Sequence, residues 1–148
     1  MDERVARLNT PKACEKFAKN ALRLNRPDLA DEARRRAIEL RAIGYGAVSD
    51  AERECLQAVY AYEEVLSKKN GKHTRASRTW QMINRHGILT AAERAVNREA
   101  ETVGYTALAE MGLQEFTFEA VVIRYPHLFS EQAVLRSKER MKEWSKGI

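Results

Sequence analysis

Apolar residues recur along this chain at intervals of three and four, the period of a helix buried on one side. Cys14, Phe17, Ala18, Ala21 and Leu22 form the first such stripe, behind Thr10 and Pro11 as N-cap and first helical residue. Asn25-Arg26-Pro27 interrupts it. Leu29, Ala33, Ala37 and Leu40 form a second stripe, stopped by Gly44 or Gly46. Ser49-Asp50-Ala51-Glu52 is a capping box for a third helix with Cys55, Val59, Tyr62 and Leu66 on its core side, closed at Asn70-Gly71.

The pattern predicts a fourth helix from His73-Thr74 to His86-Gly87. A second capping box, Thr90-Ala91-Ala92-Glu93, opens a fifth, and Tyr105, Leu108 and Met111 mark a short one ending at Gly112. Phe116, Phe118, Val121, Val122 and Ile123 form the most apolar stretch. Its β-branched residues have strand propensity, but no second strand is in sight to pair with it. A buried helix ended by Pro126 is therefore expected, followed by a last helix from Ser130-Glu131 through Trp144. The fold class that follows is all-α, a compact bundle of about seven short-to-medium helices. It is expected as one domain over 1–148, with a helical hairpin at 10–43 packed on a helical core at 49–146. The loop 44–48 is the hinge candidate.

Composition agrees with a globular chain. Of 148 residues, 44% are hydrophobic, which argues against disorder. No apolar run reaches the roughly 18 residues a membrane span needs. Met1-Asp2-Glu3-Arg4 lacks the apolar core of a signal peptide, so a cytoplasmic location is expected. Cys14 and Cys55 lie on apolar helix faces, far apart and outside any C-x-x-C, as buried free thiols of a reducing compartment do.

Charge changes the picture most. The window 65–92 holds Lys68, Lys69, Lys72, Arg75, Arg78 and Arg85 and no Asp or Glu. The whole chain carries +5, so the remainder carries a net −1 and the basicity is local. With about 100° per residue, Ala76, Trp80, Ile83 and Gly87 fall on one side of the fourth helix. Arg78, Gln81 and Arg85 fall about half a turn away. Arg75 and Met82 flank this basic and amide strip on one side, Ser77 and Asn84 on the other.

Arg pairs bidentately with guanine, and Asn or Gln with adenine, in a duplex major groove. Arg75, Arg78, Gln81, Asn84 and Arg85 are thus the expected groove-facing residues. Lys68, Lys69, Lys72, His73, Thr74 and Ser77 are expected on phosphates, helped by the helix dipole. Two helices joined by a Gly-containing turn, the second basic, make a helix-turn-helix-like plan, with a longer and more basic turn than usual. A basic helix also occurs as a mere solvated face. Such faces normally mix charge signs to gain i,i+4 pairs, as Asp31-Glu32-Ala33-Arg34-Arg35-Arg36 and Ser137-Lys138-Glu139-Arg140 do, and this window does not. Arg34-Arg35-Arg36 is expected as a salt-bridged surface, with an auxiliary phosphate contact as its alternative. Arg94 and Arg98 on the next helix are a lower-ranked extension of the main patch, because Glu93, Glu99 and Glu101 sit beside them.

Aromatics bear on which nucleic acid. Trp80 lies on the core side of its helix, Tyr60 and Tyr62 read as core, and Phe116, Phe118, Tyr125 and Phe129 fall outside the window. Few aromatics interleave with the charges, which favours duplex DNA over single strands.

No catalytic pattern is legible. His73, His86 and His127 make no H-x-x-x-H pair and none stands near a cysteine, so no metal or cofactor is expected. Glu63 and Glu64 point about 100° apart on a helix. Glu115 and Glu119 share a face that reads as solvated, and Glu64 with Lys68 reads as a surface ion pair. The expectation is a non-enzymatic DNA-binding regulator or targeting module, a bacterial defence or modification system being one setting for it. RNA is the second nucleic acid to consider. An acidic protein is another possible partner for the basic patch, and an interaction adaptor using the apolar region 116–129 is the alternative of a different class. A single reading helix usually needs a homodimer or a second contact for specificity.

Overall fold

The computed structural model describes residues 1–46, 49–98 and 105–146, and every regular element among them is helical. The chain divides into two compact units, Met1–Ala47 and Val48–Ile148.

The first unit holds α1 (Glu3–Ala6), α2 (Pro11–Arg23) and α3 (Pro27–Tyr45). Thr10 caps α2 as expected, its hydroxyl accepting the Ala13 N–H at 3.1 Å. Asn25 makes the α2–α3 turn with φ of 59°, a left-handed geometry that Asn tolerates. Gly46, not Gly44, ends α3. Ala18, Ala21, Ala30 and Ala33 lie at the centre of the hairpin with Leu29, and Phe17 packs against them. Small side chains on both helices let the two backbones approach. Leu22, expected on this stripe, is instead 48% exposed, outside the buried set of Cys14, Ala18 and Ala21. The turn α1 was not expected. Asp2 caps it, and Val5 is buried. Arg34 pairs with Asp31 and Arg36 with Glu39, each at 3.0 Å, so the Arg34-Arg35-Arg36 run is a salt-bridged surface at those two positions.

The second unit holds α4 (Asp50–Asn70), α5 (Ser77–His86), α6 (Ile88–Val96), α7 (Tyr105–Glu110), α8 (Phe118–Arg124), a 3-10 turn (Pro126–Leu128) and α9 (Glu131–Lys146). The Ser49–Glu52 capping box forms in full. Cys55, Ala92 and Val121 bring α4, α6 and α8 together. Val96, Val122 and Ala133 do the same for α6, α8 and α9. Phe118 and Phe129 pack against both groups, so within the apolar stretch 116–129 Val121 and Val122 are spent on the core, while Phe116, Phe118 and Phe129 are half-buried and Leu128 is exposed.

Three expectations need correction. Thr90 does not cap α6, which begins at Ile88 directly after Gly87. Ile88 and Leu89 gain contact with the Cys55 group by being helical, and Glu93 accepts the Ser130 N–H at 2.6 Å instead of capping its own helix. Glu119 is not solvated. It is 1% exposed and bonds Arg140 at 2.9 Å. Arg140 in turn is buried rather than part of a mixed-charge surface. Burying both ions is costly, and mutual pairing is what makes it tolerable.

No helix among the described residues is long and apolar enough to cross a membrane. Both cysteines are buried and free, and burial pushes the Cys55 thiol up to about 12. Only thiolate attacks a disulfide reagent. In the native protein at mildly alkaline pH, Ellman's reagent is therefore expected to release almost no chromophore, and after guanidinium unfolding two equivalents, one per cysteine. Rapid native labelling of Cys55 would contradict the packing of α4 against α8.

Candidate nucleic-acid interface

The basic window spans the end of α4, the turn 71–76 and α5. Gly71 ends α4 in the left-handed region, at φ of 71°. The turn is then held by α4 itself. Ser67 Oγ accepts the Thr74 N–H at 2.8 Å and donates to the Thr74 carbonyl at 3.4 Å. Thr74 Oγ1 accepts from Asn70 Nδ2 at 3.2 Å and donates to the Lys72 carbonyl at 3.0 Å.

One turn further up α4, Glu63 is buried. Its Oε2 accepts two hydrogen bonds of 2.8 Å, from the Ala76 N–H and from Trp80 Nε1–H. The two donors lie just before α5 and in its first turn, so one carboxylate ties that end of α5 to α4. A negative group there also complements the positive end of the helix dipole. Trp80 is pinned from a second side by Tyr60, with ring centroids 5.4 Å apart, and Arg75 lays its guanidinium 5.4 Å from the Trp80 centroid. Such a cation–π contact contributes about 0.5–1 kcal/mol at an exposed site.

These bonds explain where the expected helix start fails. Helix geometry begins at Ser77, not Thr74, because Ser67 and Glu63 hold Thr74 and Ala76 in a non-helical turn. Thr74, expected on a phosphate, spends its hydroxyl inside the turn and is half-buried. Arg75 leaves the helical strip for the face of Trp80. The helix end expected to attract a phosphate is served internally by Glu63.

The other residues stand where the pattern put them. Trp80 and Ile83 are buried, and Ser77, Arg78, Gln81, Asn84 and Arg85 are exposed. Lys68, Lys69, Lys72 and His73 are exposed beside them, as are Arg94 and Arg98. The described ion pairs use Arg4, Arg26, Arg34, Arg36, Arg41, Arg53, Arg124 and Arg140, and none of the six window cations. Among the described residues no group of three His, Cys, Asp or Glu is placed to hold a metal ion.

Glu63 was missed in the sequence because it was weighed only with Glu64 as a carboxylate pair, and two adjacent helical residues point about 100° apart. A signal was present: Leu56, Val59 and Glu63 fall at helical spacing, which puts Glu63 on the core stripe. A cavity of about 300 Å³ was also not legible. It lies between α4, the turn before α5 and α8, with Val59, Leu66 and Phe118 among its walls.

Comparison with family models, with curated proteins and with solved structures returns no match.

Replacing Glu63 with Leu orphans two buried donors, at about 1–3 kcal/mol each. Urea denaturation is expected to show a loss of about 2–6 kcal/mol, with Trp80 emission shifted to the red. Glu63→Gln keeps an acceptor oxygen and is expected to lose about 1 kcal/mol.

Proposed function

We propose that the protein binds nucleic acid, with duplex DNA as the preferred form, through the exposed face of α5 and the lysines that precede it. The observation that carries this is the set of six cations at 68–85, which take part in no described ion pair while eight arginines elsewhere do. Crowding like charges on one face costs energy through self-repulsion. A polyanion recovers that energy, because each phosphate neutralised releases condensed counterions.

The division of labour follows from position. Lys68, Lys69 and Lys72 lie at a helix end and turn, where long flexible ammonium groups track a backbone. Arg78, Gln81 and Arg85 project from one rigid helical strip, as base-edge readout requires. From Arg78 to Arg85 the helix rises about 10 Å, roughly three base steps of 3.4 Å. So short a reading element specifies little alone, and a second copy or a second contact would supply the rest. The length of the turn 71–76 sets the arrangement apart from a standard helix-turn-helix, so the likeness is one of plan. No catalytic step is proposed.

Fluorescence anisotropy with a labelled duplex, a single strand and an RNA hairpin tests this. Duplex is expected to bind tightest, with log affinity falling against log salt at a slope of about −5 for six engaged cations. Arg78→Glu with Arg85→Glu is expected to weaken binding at least about 100-fold without changing the helical circular dichroism signal. Lys138→Glu with Lys142→Glu on α9 is expected to change it little. Equal loss from both pairs, or no binding at low salt, would overturn the proposal, and preference for the hairpin would reassign the partner to RNA.

A further inference from the structure

We propose that the cavity beside α5 is a binding site for a small organic anion with a flat apolar body. Its volume of about 300 Å³ is at the lower end of the roughly 300–1,000 Å³ range of small-molecule sites. Its apolar walls come from Val59 and Leu66 of α4, Leu108 of α7, and Phe116 and Phe118 around the start of α8, with the hydroxyls of Ser77, Thr79 and Thr117 also lining it. Aromatic walls of this kind suit a planar ring system.

Its charged lining is one-sided. Arg75, Arg78 and Arg98 all contribute, against a single carboxylate, Glu119, whose charge is met by Arg140. No described ion pair occupies the three arginines. Arg75 is held in place by the Trp80 ring, and Arg98 by a long contact of 3.9 Å to Met82 Sδ. The site therefore offers an apolar slot with cations at its edge. A carboxylate, sulfonate or phosphate on a planar hydrophobic body matches both parts, whereas a neutral or cationic ligand wastes the arginines.

Arg75 and Arg78 belong to the basic face as well. An anion seated here neutralises part of that face, so occupancy is expected to weaken polyanion binding. That coupling, unlike the site itself, rests on the nucleic-acid proposal above.

The test uses the whole protein without nucleic acid and two dyes of the same ring pattern. One is 1-anilinonaphthalene-8-sulfonate, the other its uncharged analogue N-phenyl-1-naphthylamine. Titration followed by fluorescence is expected to give one site per chain, with the sulfonate at least about tenfold tighter, the value of one charge-assisted hydrogen bond. Arg98→Gln is expected to remove about that factor for the sulfonate and leave the neutral dye unchanged. Leu66→Trp, which fills the slot, is expected to abolish both. Arg98 is exposed, so its variant keeps the test valid if Leu66→Trp fails to fold. Absence of binding, equal affinity for the two dyes, or a sulfonate affinity indifferent to Arg98→Gln would overturn the site. If the site stands, dye that fails to compete with bound duplex would overturn the coupling alone. A protein that binds no nucleic acid but shows the dye pattern retains the site and loses the interface.

Discussion

Everything distinctive about this chain hangs on one buried carboxylate. Glu63 takes a backbone N–H at Ala76 and the indole N–H of Trp80, and in doing so fixes both where α5 begins and how it is rotated. With Trp80 turned toward α4, helical geometry sends Arg78, Gln81 and Arg85 the opposite way. The same anchoring sets Arg75 against the indole ring and leaves the cavity open beside the turn. An apolar residue at position 63 would leave two donors unpaired away from water, which is why a charged residue can be the better choice inside this helix pair.

Two groups among the charged residues differ in their physics. Glu119 with Arg140, Glu54 with Arg124, and Arg34 with Asp31 are paired locally, and their net electrostatic cost is settled inside the protein. The six cations at 68–85 take part in no described ion pair, and the window 65–92 holds no acid of its own. Their field reaches outward over about one Debye length, roughly 8–10 Å at physiological salt. For the proposed polyanionic partner, that field would be met before any specific group, so the patch would raise association rate as well as affinity.

Much of the architecture was legible because its signals are local. Thr10-Pro11, Ser49–Glu52, Gly71 and Gly87 act within one helical turn, and the apolar stripes of α2, α3 and α4 need only their own periodicity. The outward positions of Arg78, Gln81 and Arg85 followed from Trp80 and Ile83 by the same rule. What escaped depends on partners distant in the chain. Glu63 meets Trp80 across 17 positions and Glu119 meets Arg140 across 21. A lone acidic residue in sequence looks solvated until its donor is in view. In α9, Ala133, Ser137 and Arg140 share a buried stripe, so an arginine at core spacing was the available hint. The late start of α5 escaped for the same reason: local propensity allowed helix from Thr74, and bonds from Ser67 and Glu63 overrode it.

The most direct test of the account is an amide chemical-shift map of the labelled protein on addition of a short DNA duplex. The account predicts perturbations concentrated at Lys68–Lys72 and Ser77–Arg85, with the amides of Arg34, Arg35 and Arg36 unmoved. Shifts centred on α3 or α9, or none at all at low salt, would contradict the claim that Glu63 orients α5 to present a nucleic-acid-binding face.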